Sequence, residues 1–259
     1  MDLGISGLTA LLLGSTQGLG LSCAKALAQA GVRVVINGRD ADKAKRAAAE
    51  IDGEAFAVAG DVSEPAERRR IVEEARRLVG PLSILVTNAG GPPPGPLEGH
   101  SHEVWQKALE GNMLSAIDFA GLVLPDMRAA SYGRIVNVTS FTVREPYPNM
   151  GLATGVRAGL TGAMASLARE VARDGITVNN LLPGLMDTGA LKRVYDAQAA
   201  RENITPQAAK ARMAESIPAG RLGEADDFGP VCGFLCSRLA GYITGQNITV
   251  DGGLVRALI

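Results

Sequence analysis

The sequence predicts an α/β fold, a single-domain, doubly wound parallel sheet of about seven strands with helices on both faces. Three observations carry that prediction. Apolar runs of strand length alternate with helical patterns from end to end. The runs are apolar throughout instead of alternating with polar residues, as in strands buried on both faces of a helix-covered parallel sheet. A glycine-rich turn, Gly14-Ser-Thr-Gln-Gly18-Leu19-Gly20, closes the first run where a helix begins.

LTALLLG (8–14) reads as the first strand and leads into a helix over 19–30. VRVVING (32–38) is the second strand, and Asp40 is placed to cap a helix over 41–51. EAFAVAGD (54–61) precedes a helix over 66–79, and LSILVTNAG (82–90) follows. One long helix over 103–127 leads to RIVNVTS (134–140). A helix running through GLATGVRAGL (151–160) to about residue 173 precedes ITVNNLLPG (176–184). A last helix over 226–237 leads to QNITVDGG (246–253). The segment 186–220 is polar, charged and long for a connection between buried elements, which suits a substrate lid. With no linker or second composition regime, residues 1–259 read as one domain.

The 259 residues carry 26 basic and 27 acidic side chains, a net charge of −1, so no long-range field draws nucleic acid or an anionic membrane. Three cysteines, Cys23, Cys232 and Cys236, argue against a disulfide framework and for a reducing, cytoplasmic compartment. They read as small core residues. A metal site would need further ligands, and His100 and His102 lie far from them in sequence. The N-terminal MDLGISGLTALLLG lacks a basic region, and its short apolar run reads as a strand, not a signal peptide or membrane span.

Glycines at 14, 18 and 20 permit a tight turn that brings backbone N–H groups and a helix N-terminus against a pyrophosphate. After the second strand, Gly38 stands where a carboxylate would bond the adenosine ribose and repel a 2′-phosphate. Arg39 follows, and a guanidinium grips phosphate bidentately, so NADP(H) is favoured over NAD(H).

The spacing G-x-x-x-G-x-G, with Asp61-Val62, Asn88-Ala-Gly90, Asn112, Ser140, Pro183-Gly184, Thr188, Arg221-Leu-Gly and the terminal Tyr242-ITGQ…VDGG, resembles the short-chain dehydrogenase/reductase family. The resemblance covers nearly the whole chain. It implies a Rossmann-type dinucleotide-binding fold and an NADP-dependent oxidoreductase reducing a carbonyl, 3-oxoacyl-reductase-like, on a small-molecule substrate. It also implies a cofactor cradle of Gly14, Ser15, Gln17, Gly18, Leu19, Gly20, Arg39, Asp61, Val62, Asn88, Gly90, Arg157, Pro183, Gly184 and Thr188. In the family a serine polarises the carbonyl, a tyrosine delivers the proton, and a lysine four residues later holds the nicotinamide ribose. Asn112 and Ser140 match that set, but Ala153 and Arg157 stand at the tyrosine and lysine positions.

No tyrosine restores the spacing, since Tyr132, Tyr147, Tyr195 and Tyr242 are followed four residues on by Val136, Gly151, Ala199 and Gln246. Arg157 keeps donors for ribose hydroxyls but does not relay protons at ordinary pH. Tyr147, in a loop expected beside the nicotinamide, is the first candidate for a replacement acid, with Glu145 and Thr154 behind it. Otherwise the chemistry needs less acid help, or the chain is a catalytically inactive NADP(H)-binding sensor or partner subunit. The pocket walls are expected from the proline-rich 91–98 stretch, the 141–152 loop and the 186–220 segment. Gly155, Ala158, Gly159, Gly162, Ala163, Ala165 and Ala168 line the helix through 151–173, and the resemblance implies pairing through it, as a homodimer or homotetramer.

Overall fold

The computed structural model describes residues 2–258, and one sheet in it carries seven strands. They are β1 (Thr9–Leu12), β2 (Arg33–Gly38), β3 (Ala55–Ala59), β4 (Ile84–Thr87), β5 (Gly133–Val138), β6 (Ile176–Pro183) and β7 (Asn247–Val250). The spatial order is β3-β2-β1-β4-β5-β6-β7, with every pairing parallel. The winding reverses between β1 and β4. That reversal opens a crevice at the C-terminal ends of the strands, where sheets of this kind bind ligands.

The helices are α1 (Gly18–Gln29), α2 (Ala41–Ala49), α3 (Pro65–Val79), α4 (His102–Leu109), α5 (Ser115–Ala129), α6 (Gly151–Val171), α7 (Gly189–Glu202), α8 (Pro206–Glu215) and α9 (Ala225–Leu235). Side-chain alternation along the strands divides the core in two. Leu11, Val35, Leu85, Ile135 and Val178 pack with Ile71, Phe119 and Met164 from α3, α5 and α6. Leu12, Ile36, Val86 and Val136 pack with Leu27 of α1 and Phe228 of α9. Burying each of these large side chains stabilises the fold by about 1.5–3 kcal/mol. Cys23, Cys232 and Cys236 are fully buried free thiols in the second half, core residues as the sequence implied.

A polar row crosses the sheet at directly paired positions. The Thr87 hydroxyl donates to Asn137 Oδ1 (2.8 Å), Asn137 Nδ2 to Asn180 Oδ1 (3.1 Å), and Asn180 Nδ2 to Asn247 Oδ1 (2.8 Å). The row ties β4 to the edge strand β7 beneath the crevice.

The helical stretch expected over 103–127 runs unbroken from His102 to Ala129, but it is not uniform. Between α4 and α5, Glu110–Leu114 widens into a π-helical turn, and Ser115 Oγ donates to the Gly111 carbonyl at 2.9 Å. Such turns insert a residue into the helical ladder and occur often at functional sites. Here the turn carries Asn112. Asp40 caps α2 as expected, accepting from Lys43 N at 2.9 Å.

The 186–220 segment is a helical hairpin. α7 and α8 meet through Tyr195, Ala199 and Ala209, and Asn203 turns the chain at φ 53°. Lys210 Nζ ties the hairpin to Asp187 Oδ2 at 2.5 Å. The small residues of α6 face two ways. A Cβ on Gly155 or Gly159 would lie 3.3 Å from Trp105 or 3.0 Å from Met113 Sδ, so these two serve packing within the chain. Ala168 is buried, whereas Gly162 has open space before it.

Candidate active site

The glycine turn is built as its spacing requires. Gly14 and Gly18 have φ of 54° and 55°, a region that strains other residues. A Cβ on Gly20 would lie 2.7 Å from the Gly14 carbonyl oxygen, so α1 closes on the turn only because position 20 is bare. Asn88 at the end of β4 braces it, Nδ2 donating to that same oxygen at 2.7 Å. Ser15 shapes the turn instead of lining the crevice. It is fully buried, its N–H bonds Asn37 O (2.9 Å), and its hydroxyl bonds Leu12 O (2.7 Å). Leu19 packs on the α1–α9 half of the core.

No side chain caps α1, so its first N–H groups remain open at the positive end of the helix dipole. Helix ends of this kind commonly seat phosphate groups. The loop after β6 closes the other side. Gly184 leaves room for Asp251, whose Cβ would be 2.6 Å from a Cβ at 184, and Thr188 Cγ2 would be 3.7 Å from one at Gly18. Pro183 ends β6 directly before it.

At the adenosine end, the space a side chain at Gly38 would need is filled by the Thr16 methyl. The Arg39 side chain is 82 % exposed, with Nη1 4.0 Å from Asp61 Oδ2. Lys43, on the first turn of α2, donates through Nζ to Gln17 Oε1. A second cation thus stands at the glycine turn. Sequence reading missed Lys43 because it weighed only the residues directly after β2. Its place three residues past the Asp40 cap turns it back toward the glycine turn. Asp61 Oδ1 accepts from Ser63 N (2.9 Å) and Ser63 Oγ (2.7 Å), which fixes the turn containing Val62.

At the reaction end, Asn88, Asn112 and Arg157 meet around a cavity of about 20 Å³, with Thr87, Gly111, Ser115 and Val138 among its other walls. Its volume suits a single water molecule. The Arg157 guanidinium makes no hydrogen bond or ion pair with any described residue, and it passes 3.5 Å from where a Cβ on Gly91 would be. Burial holds its pKa below the usual guanidinium range. Ser140 accepts at Oγ from Thr142 N (3.2 Å) and Thr142 Oγ1 (3.0 Å). With both acceptor positions filled, its O–H is the group left to donate.

Ser140 and Tyr147 are not among the walls of that cavity. Tyr147 is 58 % exposed, its ring edge-on to Phe141 at 6.1 Å. Glu145 accepts from Arg256 N at 2.7 Å, and Thr154 Oγ1 is buried with no partner. Gly90 is exposed with open space before it. The Tyr132 hydroxyl is spent on Cys236 O at 2.8 Å, at the start of β5 and so at the opposite end of the strands, and Tyr195 is held inside the α7–α8 hairpin. Ala153 is buried, one helical turn before Arg157.

A seven-stranded doubly wound sheet with this turn, this open helix N-terminus and a polar reaction end defines a nicotinamide-dinucleotide oxidoreductase. Comparison with known proteins agrees. The family described as Enoyl-(Acyl carrier protein) reductase matches residues 14–255. Dehydrogenase/reductase SDR family member 4 of Sus scrofa is 34% identical over 253 residues, 96% of this chain and 88% of that protein. D-beta-hydroxybutyrate dehydrogenase of Cupriavidus necator is 33% identical over 256 residues, 97% of this chain and 99% of that one. The crystal structure of L-sorbose reductase from Gluconobacter frateurii, complexed with NADPH and L-sorbose, superposes with a TM-score of 0.95 at 30% identity, covering 100% of both chains. The chain belongs to the short-chain dehydrogenase/reductase family. No helix among the described residues is long and apolar enough to cross a membrane.

Proposed function

We propose that this oxidoreductase reduces a carbonyl of a small, 3-oxoacyl-like substrate with NADPH, through Ser140 and Arg157 and without the family's tyrosine. The observation that carries the reading is the Arg157 guanidinium. It stands without a protein partner among the described residues, between Gly91 and a cavity walled by Asn88 and Asn112. A cation left without counter-charge in a polar recess suits an oxygen-rich ligand, here the nicotinamide ribose.

The residues present fit the dinucleotide. The bare positions at Gly14, Gly18 and Gly20 and the uncapped α1 suit its pyrophosphate. Asp61 and Val62 border the adenine side, and Pro183, Gly184 and Thr188 close the far wall. Arg39 and Lys43, with Gly38 bare, favour the 2′-phosphate of NADPH over NADH. Bound there, the nicotinamide supplies the hydride. Ser140 O–H polarises the substrate oxygen, Asn112 holds the polar recess open, and Arg157 offsets negative charge as it develops. Tyr147, exposed and edge-on to Phe141, is the tyrosine we assign to proton supply. The 186–220 hairpin excludes water over the site.

The reading extends to assembly and place. The groove between α5 and α6, lined by Ile117, Gly121, Leu124 and Leu167, is the surface for a homodimer or homotetramer in the cytoplasm. Light scattering at micromolar concentration checks the mass.

A second reading, a non-catalytic NADP(H)-binding sensor or partner subunit, is favoured by Ala153. One experiment separates the two. NADPH fluorescence titration measures binding, and NADPH oxidation is followed with ketones, quinones, enones and acyl thioesters. Binding with turnover that falls in Ser140→Ala and Tyr147→Phe supports the reductase. Binding with no turnover across the panel supports the second reading, and no binding of NADPH or NADH removes both.

A further inference from the structure

Arg68 on α3 is buried, its side chain only 3% exposed, and its guanidinium touches both ends of the cofactor crevice. On the adenine side, Nε donates to Val62 O at 2.9 Å and Nη2 to Ser63 O at 3.3 Å. On the reaction side, Nη2 donates to Glu110 O at 3.2 Å and Glu110 Oε2 at 2.7 Å, inside the π-helical turn that carries Asn112. Nη1 pairs with Asp118 Oδ2 at 2.5 Å on the first turn of α5. The two segments also lie close together, since a Cβ on Gly111 would lie 3.7 Å from Ser63 Cβ.

A planar guanidinium with its donors spread over two loops fixes their separation in a way one ammonium cannot. Removing it would leave three carbonyls and two carboxylates to find other donors. We propose that Arg68 is a positioning residue that couples the Asp61–Val62–Ser63 turn to the Asn112 turn, so that occupation of the adenine side sets the geometry at the reaction end. The proposal rests on the cofactor reading above. Arg68 acts through the loops, and neither the substrate nor the reacting atoms need touch it.

The mechanism predicts reciprocal effects between two distinct places, which a merely structural brace does not produce. The probe is adenosine 2′,5′-bisphosphate, which lacks the nicotinamide half. Hydrogen exchange is followed by mass spectrometry in peptides covering 61–63 and 110–114, with and without saturating probe. In the unmodified protein the probe is expected to slow exchange in both peptides, by about fivefold or more at 110–114. In Arg68→Met the slowing at 61–63 is expected to remain while that at 110–114 disappears. Arg68→Lys keeps the charge and loses the fork, so its response at 110–114 falls between the two, and it serves if the methionine variant does not fold. Probe binding without a response at 110–114, or a response that survives in both variants, overturns the coupling alone. Failure of the probe to bind at all overturns the cofactor reading with it.

Discussion

Gly38 and Thr16 interlock at the end of β2, the methyl of Thr16 occupying the space a side chain at 38 would take. The usual acidic determinant of NADH preference is therefore both absent and sterically blocked. Gly38→Asp alone is expected to weaken NADPH and NADH together, because the carboxylate enters only by displacing Thr16. Gly38→Asp with Thr16→Gly should instead favour NADH. Arg39→Ala and Lys43→Met should each weaken NADPH about tenfold or more, roughly 1.4 kcal/mol or above, with little effect on NADH. Fluorescence titration of the four proteins with both dinucleotides checks this. Equal losses for the two dinucleotides in Arg39→Ala would remove the phosphate role.

Arg157 sets function against stability. A half-buried guanidinium with no partner among the described residues costs desolvation that no hydrogen bond from them offsets. Arg157→Met is expected to raise stability by about 1 kcal/mol, a Tm gain of roughly 2–4 °C. The same change should weaken NADPH binding at least about tenfold, as expected for a lost charged hydrogen bond. Arg157→Lys should keep most of the binding. Calorimetry and titration on the same preparations decide it, and a fall in Tm for Arg157→Met would mean that the guanidinium is structurally satisfied.

The strand runs, the glycine turn and the Asp40 cap were legible in the sequence because each is a local pattern with one physical cause. Periodicity read 103–127 as one helix, since a π-helical turn inserts a residue without breaking the apolar pattern around it. Lys43 and Arg68 escaped notice for another reason. Both look like solvated helix charges in sequence, and only the return of the chain brings Lys43 to Gln17 and Arg68 to Glu110. Ser15 sits within the glycine motif, yet its bond to Asn37 comes from pairing with the neighbouring strand, which the motif does not encode. The absence of a tyrosine at 153 needed no structure at all. What needed one was seeing that Tyr132 and Tyr195 are held elsewhere.

The polar row under the crevice should be costly to break. Asn137 is fully buried and serves both neighbours, accepting from Thr87 and donating to Asn180. Asn137→Ala leaves a buried hydroxyl and a buried amide oxygen without partners, at about 1–3 kcal/mol each. A loss of about 2–4 kcal/mol in urea unfolding is expected. A loss below about 0.5 kcal/mol, the range of ordinary surface substitutions, would show that the row contributes nothing to stability.

Acid should loosen the start of α9 first. The Arg221 fork on Asp227 (2.6 and 2.9 Å) and, after it, the Glu224 N–H (2.8 Å) hold the Asp227 carboxyl at about 2. The folded pKa is depressed, so its stabilisation is fully present above the unfolded value, about 3.9, and disappears as pH falls toward 2. Both partners are substantially exposed, and solvent screening keeps the effect small. Asp227→Asn should lower Tm at pH 6, and the gap to the unmodified protein should close between about pH 4 and pH 2. A gap that is constant down to pH 2 would assign the loss to helix capping geometry instead of charge.

Restoring the missing pair tests what Ala153 costs. Positions 153 and 157 share one face of α6, so a tyrosine and a lysine placed there meet the same recess that Arg157 now faces. Ala153 is buried, and the larger ring should cost about 1–3 kcal/mol in stability as loops around it shift. If proton delivery limits turnover, Ala153→Tyr with Arg157→Lys should still raise kcat by about 10²–10⁴ on a carbonyl substrate, the range for one general acid. A new ionisation should then appear in the pH profile. A folded double variant with unchanged kcat would mean that the proton already reaches the product by another route. In that case Tyr147→Phe should abolish turnover in the unmodified protein and in the double variant alike.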